Sequence, residues 1–198
     1  RILDHRELME ILFRRIELND NITESIGDIK LYNEADFDMQ IAANGPLSIH
    51  RKEWGFSNLS HCYSSGCLTA KVLIRGSAPN KAFEIFRKEG PLAVLPMKNN
   101  IFQIVWTAPL TKCKSLSKLK HSLFLDQLAS ILPESLQPDI LVDRLSFFPI
   151  HLSIAYPFFF RRFILVGESA HRCHPVGGQG LNICWRDIYY LTKGLKDY

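Results

Sequence analysis

The most informative stretch of the chain is residues 165–182, LVGESAHRCHPVGGQGLN. The apolar run Phe163 to Val166 predicts a buried strand ending at Gly167, and a helix is predicted from Gln179 onward, after a turn rich in Pro and Gly. Such a passage from strand to helix brings unpaired backbone N–H groups to the positive end of a helix, which favours negative charge. The carboxylate of Glu168 can accept hydrogen bonds from sugar hydroxyls. The stretch therefore predicts a site for a ligand with both hydroxyls and anionic character.

The same stretch resembles the second flavin-binding motif of the FAD-dependent aromatic hydroxylases of the para-hydroxybenzoate hydroxylase type. That motif has Gly-Asp-Ala-Ala-His, a Pro, Gly-Gln-Gly-x-Asn and a later Asp. The matching residues here are Gly167, Ser169, Ala170, His171, Pro175, Gly178, Gln179, Gly180, Asn182 and Asp187. Glu168 stands where the family has Asp, so its carboxylate reaches one methylene further. Residues 43–51, ANGPLSIHR, resemble the family's Ala-Asp-Gly-x-x-Ser-x-x-Arg motif, with the uncharged Asn44 in place of the acid.

The resemblance implies FAD as the cofactor, NAD(P)H as a co-substrate and O2 as the source of the transferred oxygen atom. The cofactor-binding residues that it implies are Glu168, Pro175, Gly178, Gln179, Gly180, Leu181, Asn182, Asn44 and Gly45. Backbone N–H groups near Gly180, Leu181 and Asn182 are expected to face the flavin ring. The catalytic residues are not identified: His151 and His174 are candidates for an acid or base, and a structural role is the alternative for each.

Residues 86–97 and 103–107 are similar to the branch of the family that hydroxylates polyprenylated phenols in ubiquinone biosynthesis. This similarity implies an FAD-dependent monooxygenase with an aromatic, polyprenylated substrate and partner proteins of quinone biosynthesis. The alternative is a remnant of the fold that has lost catalysis and serves as a binding or structural module. Asn44 and Glu168, in place of the family's acids, favour that alternative, whereas the retained glycines and Gln179 favour an enzyme.

The predicted fold class is α/β (α+β). A partial, Rossmann-like FAD-binding domain, residues 1–52 and 156–198, is expected to be interrupted by a substrate-binding domain with an antiparallel sheet, residues 53–155. The Gly-x-Gly-x-x-Gly turn with which the family begins does not occur in this sequence. We therefore expect a fragment or truncated product, for which FAD binding by the chain alone is weak.

Local patterns predict the individual elements. Helices are expected over 4–18 and over 117–131, the second with Ser115 or Ser117 as N-cap. Strands are expected over 37–43, 66–75, 92–95, 101–107 and 141–150, with Asn99-Asn100 as a hairpin turn.

Composition excludes several classes of protein. The chain has 198 residues, 46% of them hydrophobic and 22% charged, with a formal charge of +4 spread along the sequence, so nucleic-acid binding is not expected. Apolar runs are too short to span a membrane. Five cysteines without a CxxC pair indicate reduced thiols in a cytoplasmic protein, and no metal site is expected, although His171 to His174 resembles a zinc-ligand cluster.

Residues 156–163, YPFFFRRF, form either a basic, aromatic patch for peripheral membrane contact or a connection with a core strand. Trp54, Trp106 and Phe148 are expected in the core.

Overall fold

The computed structural model of the chain describes residues 5–27, 36–76 and 81–196. These residues form two compact units. The sheet unit contains residues 5–27, 66–76 and 81–148, and the motif unit contains residues 36–65 and 149–196, including both stretches that resemble flavin-binding motifs. The sequence predicted boundaries at 52 and 155, and the contacts group residues 53–65 and 149–155 with the motif unit. Residues 5–27, expected with the FAD-binding part, are grouped with the sheet unit.

The described residues form five α-helices and ten strands. The helices are α1 (His5–Glu17), α2 (Ile49–Glu53), α3 (Leu110–Leu116), α4 (His121–Ala129) and α5 (Gln179–Lys196). The strands are β1 (Gln40–Ala42), β2 (Ser57–Arg75), β3 (Phe83–Ile85), β4 (Leu92–Pro96), β5 (Ile101–Pro109), β6 (Gln137–Leu141), β7 (Ser146–Tyr156), β8 (Phe159–Phe160), β9 (Phe163–Leu165) and β10 (His171–Arg172). Short 3-10 turns cover Gly167–Ser169 and Val176–Gly178.

The sheet unit is built on antiparallel strands. Strand β4 pairs with β3 and with β5, and β6 pairs with β2. Alternate residues of β5 point inward, so that Phe102, Ile104 and Trp106 are buried against Phe124 and Leu128 of α4. The predicted turn at Asn99-Asn100 is confirmed: both residues have positive φ, 59° and 57°, as a two-residue hairpin turn requires.

Two predicted elements of the sheet unit are wrong in their bounds. The helix expected over 117–131 is the shorter α4, which is preceded by the unpredicted helix α3, and neither serine is the N-cap of α4. Ser115 Oγ donates to the Lys112 carbonyl and Ser117 Oγ to the Lys114 carbonyl, so both hydroxyls bond back within α3. The strand expected over 141–150 is β6 and β7, separated at 142–145, where Asp143 accepts a hydrogen bond from the Lys71 amide at 2.7 Å. Strand β3, three residues long, was not predicted because it is too short to show a period.

The motif unit has a small sheet in which β9 is central. Strand β1 pairs with β9 in parallel, with Gln40 opposite Phe163, and β8 pairs with β9 antiparallel. The expectation that segments 37–43 and 163–166 lie together is confirmed, although both strands are shorter than predicted. The buried core of this unit is Ala42, Phe56, Ala155, Leu165 and Ala170. Helix α5 begins at Gln179, as predicted, and has no fully buried residue.

The aromatic residues divide between core and surface. Trp106 is buried, and Trp54 stacks on Phe163 with ring centroids 4.8 Å apart. Phe159 and Phe160 are 68% and 54% exposed, so only the β9 part of the run 156–163 is a core strand. All five cysteines are free. Within the described ranges, no helix is long and apolar enough to cross a membrane, and no cluster of three metal-ligating side chains occurs.

Candidate functional site

The site is built around the 3-10 turn Gly167–Ser169, which directly follows β9. Gly167 has a φ of +60°, a conformation that favours glycine. Ser169 is fully buried, while Glu168 between them is exposed and makes no hydrogen bond or ion pair with the described residues. The turn therefore presents one carboxylate to solvent on an otherwise fixed backbone.

The two motif stretches meet at Ser169. Its hydroxyl donates to Asn44 Oδ1 and accepts from the Gly45 amide, both at 3.2 Å. The guanidinium of Arg51 donates to the Ser169 carbonyl at 2.9 Å and to the Pro46 carbonyl at 2.8 Å. Arg51 is only 7% exposed, and hydrogen bonds from a buried cation to carbonyls are stronger than those between neutral groups. These contacts hold the loop of residues 43–48 against the turn.

Helix α5 is joined to the turn through Asp187. One oxygen, Oδ2, accepts from the Gly167 amide at 2.8 Å and from His171 Nε2 at 2.6 Å. The side chains of His171 and Asp187 are 17% and 25% exposed. Cys184, one turn before Asp187, packs close to Gly167, since a Cβ built on Gly167 would lie 3.4 Å from its Sγ. Burial, and after it the carboxylates of Asp187 and Glu168, raise the pKa of the Cys184 thiol.

The start of α5 is open. Gly177 and Gly178 have φ values of +70° and +59°, and a Cβ built on Gly178 would meet no atom within 4 Å. The first turn of a helix leaves its N–H groups without partners in the helix, which here concerns Gly180 and Leu181, next to Asn182. Because a helix start carries partial positive charge, this 18-residue helix offers a place for an anionic group.

Other predicted site residues are engaged within the chain. Besides accepting from Ser169, the Asn44 side chain donates to His50 Nδ1 at 2.9 Å, so both ends of its amide have partners. Gln179 Nε2 donates to the Gly177 carbonyl. Pro175 is the N-cap of the 3-10 turn Val176–Gly178. His174 Nδ1 accepts from the Val176 amide at 3.1 Å, and the imidazole of His151, in β7, has no hydrogen bond to another described residue.

An apolar groove of about 480 Å³ lies beside the site in the motif unit. Its walls come from Met39, residues 158–159 and 164–166, and the side of α5 that carries Tyr190 and Leu191. The His171–Asp187 pair is its polar part, and neither Glu168 nor residues 178–182 line it. The apolar groove and the open start of α5 are therefore neighbouring features with different chemistry.

The sequence identifies four of these residues as motif positions, without a role for any of them: Arg51, Ser169, His171 and Asp187. Only the motif pattern marks these residues in the sequence, because their hydrogen-bond partners lie up to 125 residues away along the chain. The residues present fit FAD. The exposed carboxylate of Glu168 can accept hydrogen bonds from the ribitol hydroxyls. N–H groups without partners in the helix lie at the start of α5. The backbone at Gly45 and Gly178 is open to a ligand, because a Cβ built on either residue would meet no neighbour.

Two solved structures that share this fold are an FAD-dependent enzyme and an enzyme in complex with FAD. PqsL, a probable FAD-dependent monooxygenase from Pseudomonas aeruginosa, aligns with a TM-score of 0.64 and 17% identity over 80% of this chain and 46% of that one. Aklavinone-11 hydroxylase, solved with FAD and aklavinone, aligns with a TM-score of 0.61 and 16% identity, covering 78% of this chain and 30% of that one. At these identities the likeness concerns the fold, and it confirms the predicted fold class.

Sequence relatives agree with this fold. An uncharacterized protein of Synechocystis is 34% identical over 153 residues, covering 77% of this chain and 37% of that protein. Ubiquinone biosynthesis monooxygenase COQ6 is 26% identical in Danio rerio and 28% in Homo sapiens, over 79% of this chain and 39% and 41% of those proteins. The chain thus spans about two fifths of the length of these relatives. Residues 34–197 match the model of the FAD binding domain, and the chain belongs to that family.

Proposed function

We propose that the protein containing this chain is an FAD-dependent monooxygenase that hydroxylates an aromatic ring. The observation that carries the proposal is the juxtaposition, in one unit, of the exposed Glu168 on a fixed turn with the open start of α5. An acid for hydroxyl groups and free N–H groups for negative charge are the two requirements of a flavin nucleotide site. Family membership supplies the identity of the cofactor.

The chain's own residues would bind and orient the cofactor. FAD, when bound, supplies the redox chemistry, accepting electrons from NAD(P)H and passing one oxygen atom of O2 to the ring. Glu168 would accept hydrogen bonds from the ribitol. The N–H groups of Gly180, Leu181 and Asn182 would stabilise negative charge on the flavin ring, because they lie at the positive end of a helix. Pro175 and Gly178 would shape the backbone beside that ring.

The proposed substrate is a polyprenylated phenol of quinone biosynthesis. Residues 90–107 resemble the corresponding part of 2-octaprenyl-6-methoxyphenol hydroxylase, and the COQ6 relatives are named for ubiquinone biosynthesis. Other proteins of that pathway would be its partners. NAD(P)H consumption by the full natural protein should depend on both a prenylated phenol and O2.

A substrate of this kind resides in lipid, and the proposal therefore includes peripheral membrane contact through residues 156–163. Phe159 and Phe160 are exposed, and Arg161 and Arg162 follow them with side chains over neighbouring phenyl rings. Exposed aromatic residues beside arginines suit an interface with anionic lipid. We expect Phe159→Ser/Phe160→Ser to reduce co-flotation with phosphatidylglycerol vesicles at least threefold. Phe86→Ser, which changes an exposed phenylalanine of the sheet unit, is the control. Equal flotation of both variants contradicts the contact.

The flavin site is tested by titrating the full natural protein with FAD. Glu168→Ala should weaken binding by about 1.5–3 kcal/mol, the range for a hydrogen bond to a charged group. Glu168→Asp should bind as well or better, because it restores the family's shorter acid. The control is Glu134→Ala, an exposed acid of the sheet unit. If Glu168→Ala binds FAD like the wild type and remains folded by circular dichroism, the turn is not part of a flavin site.

A non-catalytic remnant is the second candidate. The observation that favours it is Asn44, whose uncharged side chain is fully engaged with Ser169 and His50. The same titration separates the two functions: a full natural protein that does not bind FAD is a binding or structural module.

A further inference from the structure

The turn Gly167–Ser169 is fixed from two directions by residues distant in sequence. On its C-terminal side, Arg51 holds the Ser169 carbonyl, and the Ser169 hydroxyl contacts the loop of residues 44–45. On its N-terminal side, the Asp187 carboxylate accepts a hydrogen bond from the Gly167 amide. Between these two attachments, Glu168 alone has a side chain directed to solvent. The direction of the Glu168 carboxylate is therefore set by the backbone on either side of it.

Asp187 makes the attachment to α5 with a single oxygen. Oδ2 accepts both from the Gly167 amide and from His171 Nε2, so that one carboxylate joins the start of the turn to β10. Both side chains are mostly buried, which strengthens charge-assisted hydrogen bonds relative to exposed ones. His171 also limits the positions that the carboxylate can take. The attachment is therefore more than a surface contact of the helix.

We propose that Asp187 is a positioning residue for the flavin site, which acts through the Gly167 amide to aim the Glu168 carboxylate at the cofactor. The inference rests on the proposed function, since it requires that Glu168 contact FAD. Asp187 acts through its hydrogen bond with the Gly167 amide and need not itself touch the cofactor. His171 supports it by holding the same oxygen.

The test is a double-mutant cycle on the full natural protein, read as the Kd for FAD by isothermal titration. Glu168→Ala should raise Kd at least tenfold, and Asp187→Ala should raise it about tenfold because the carboxylate of Glu168 is no longer aimed. The double variant should bind like Glu168→Ala, within about threefold, since there is then nothing left to position. His171→Ala, which leaves the Gly167 bond in place, should raise Kd about threefold. Asp126→Ala, an exposed acid on α4, is the control and should bind like the wild type.

Three outcomes overturn the inference in distinguishable ways. A wild-type Kd in Glu168→Ala removes the proposed function along with the inference. A large effect of Glu168→Ala with none of Asp187→Ala leaves the flavin site standing and removes the positioning role. Effects that multiply in the double variant show that Asp187 acts independently of Glu168. If Asp187→Ala fails to fold, Asp187→Asn replaces it in the cycle. Its remaining oxygen can still accept from Gly167, so rescue to within about threefold of wild type supports positioning, and a full tenfold loss contradicts it.

Discussion

The sheet unit and the motif unit are stabilised in different ways. Among the described residues, the sheet unit buries a continuous core of sixteen residues from three strands, two helices and the segment after α4, including the large rings of Trp106, Phe102 and Phe124. The corresponding apolar core of the motif unit has five buried residues, and its longest helix, α5, has none that is fully buried. What the motif unit has instead is a set of polar contacts between distant segments, centred on Ser169 and Asp187.

This difference matches what each region is for. A packed apolar core is insensitive to one polar substitution on its surface, and it gives a rigid frame. A region held by a few charge-assisted hydrogen bonds can keep its backbone open and its acid exposed, but it depends on each partner. We therefore expect the two units to respond oppositely to apolar and to polar truncation.

The largest expected effect is in the core of the sheet unit. Phe102→Ala removes a fully buried ring and should lower the free energy of unfolding of that unit by about 3–5 kcal/mol, through lost burial and the cavity left behind. The same substitution at an exposed ring of the motif unit, Phe159→Ala, should alter stability by less than about 0.5 kcal/mol. Hydrogen exchange of peptides from β5 and from α5 measures each unit separately. Equal losses in the two variants would contradict the comparison.

For polar truncation we expect the larger loss of stability in the motif unit, at Arg51, and the smaller one in the sheet unit, at Arg75. Arg51→Met leaves the carbonyls of Ser169 and Pro46 without their donor and should destabilise the motif unit by about 2–4 kcal/mol. Arg75→Met breaks an exposed ion pair with Asp139 in the sheet unit and should cost less than about 1 kcal/mol. The readout is hydrogen exchange over residues 40–56 and 137–141. A stable motif unit in Arg51→Met would show that its apolar core suffices.

The sheet unit was the easier of the two to predict from the sequence. Its strands are long enough to show alternation, as in β5, and the double Asn marks the turn before it. Errors arose where polar contacts override the pattern. Lys71 and Asp143 interrupt a run that reads as one strand, and the hydroxyls of Ser115 and Ser117 bond to carbonyls of α3 instead of capping α4.

The candidate site was predictable only as a stretch of sequence. A strand, a glycine-rich turn and a helix could be read from residues 163–182 because each has a local signature. The roles of Arg51 and Asp187 could not, since each depends on the meeting of segments far apart along the chain. The exposure of Phe159 and Phe160 could not be predicted either, because a continuous apolar run has no alternation of polar and apolar residues to separate surface from core positions.

The smallest expected effect concerns a thiol in the core of the sheet unit. Burial, and after it the neighbouring Cys113, raises the pKa of Cys67 from its ordinary value of 9.0 to about 12. Between these values the folded unit keeps the thiol proton while the unfolded chain loses it. The unfolded state then binds fewer protons, so stability present below pH 9 should fall with rising pH, by at most about 1.4 kcal/mol per pH unit.

Urea unfolding between pH 8 and pH 10.5 measures this slope. Cys67→Ala should reduce it, because the buried titrating group is gone, at the cost of a small change in packing. The control is Cys62→Ala, which removes an exposed thiol and should leave the slope as in the wild type. A slope that persists unchanged in Cys67→Ala would mean that other groups, such as the Cys113 thiol, whose pKa burial also raises, carry the alkaline sensitivity of the core. Sharing of the slope between the two thiols would extend the comparison, since both lie in the unit whose stability depends on a dry interior.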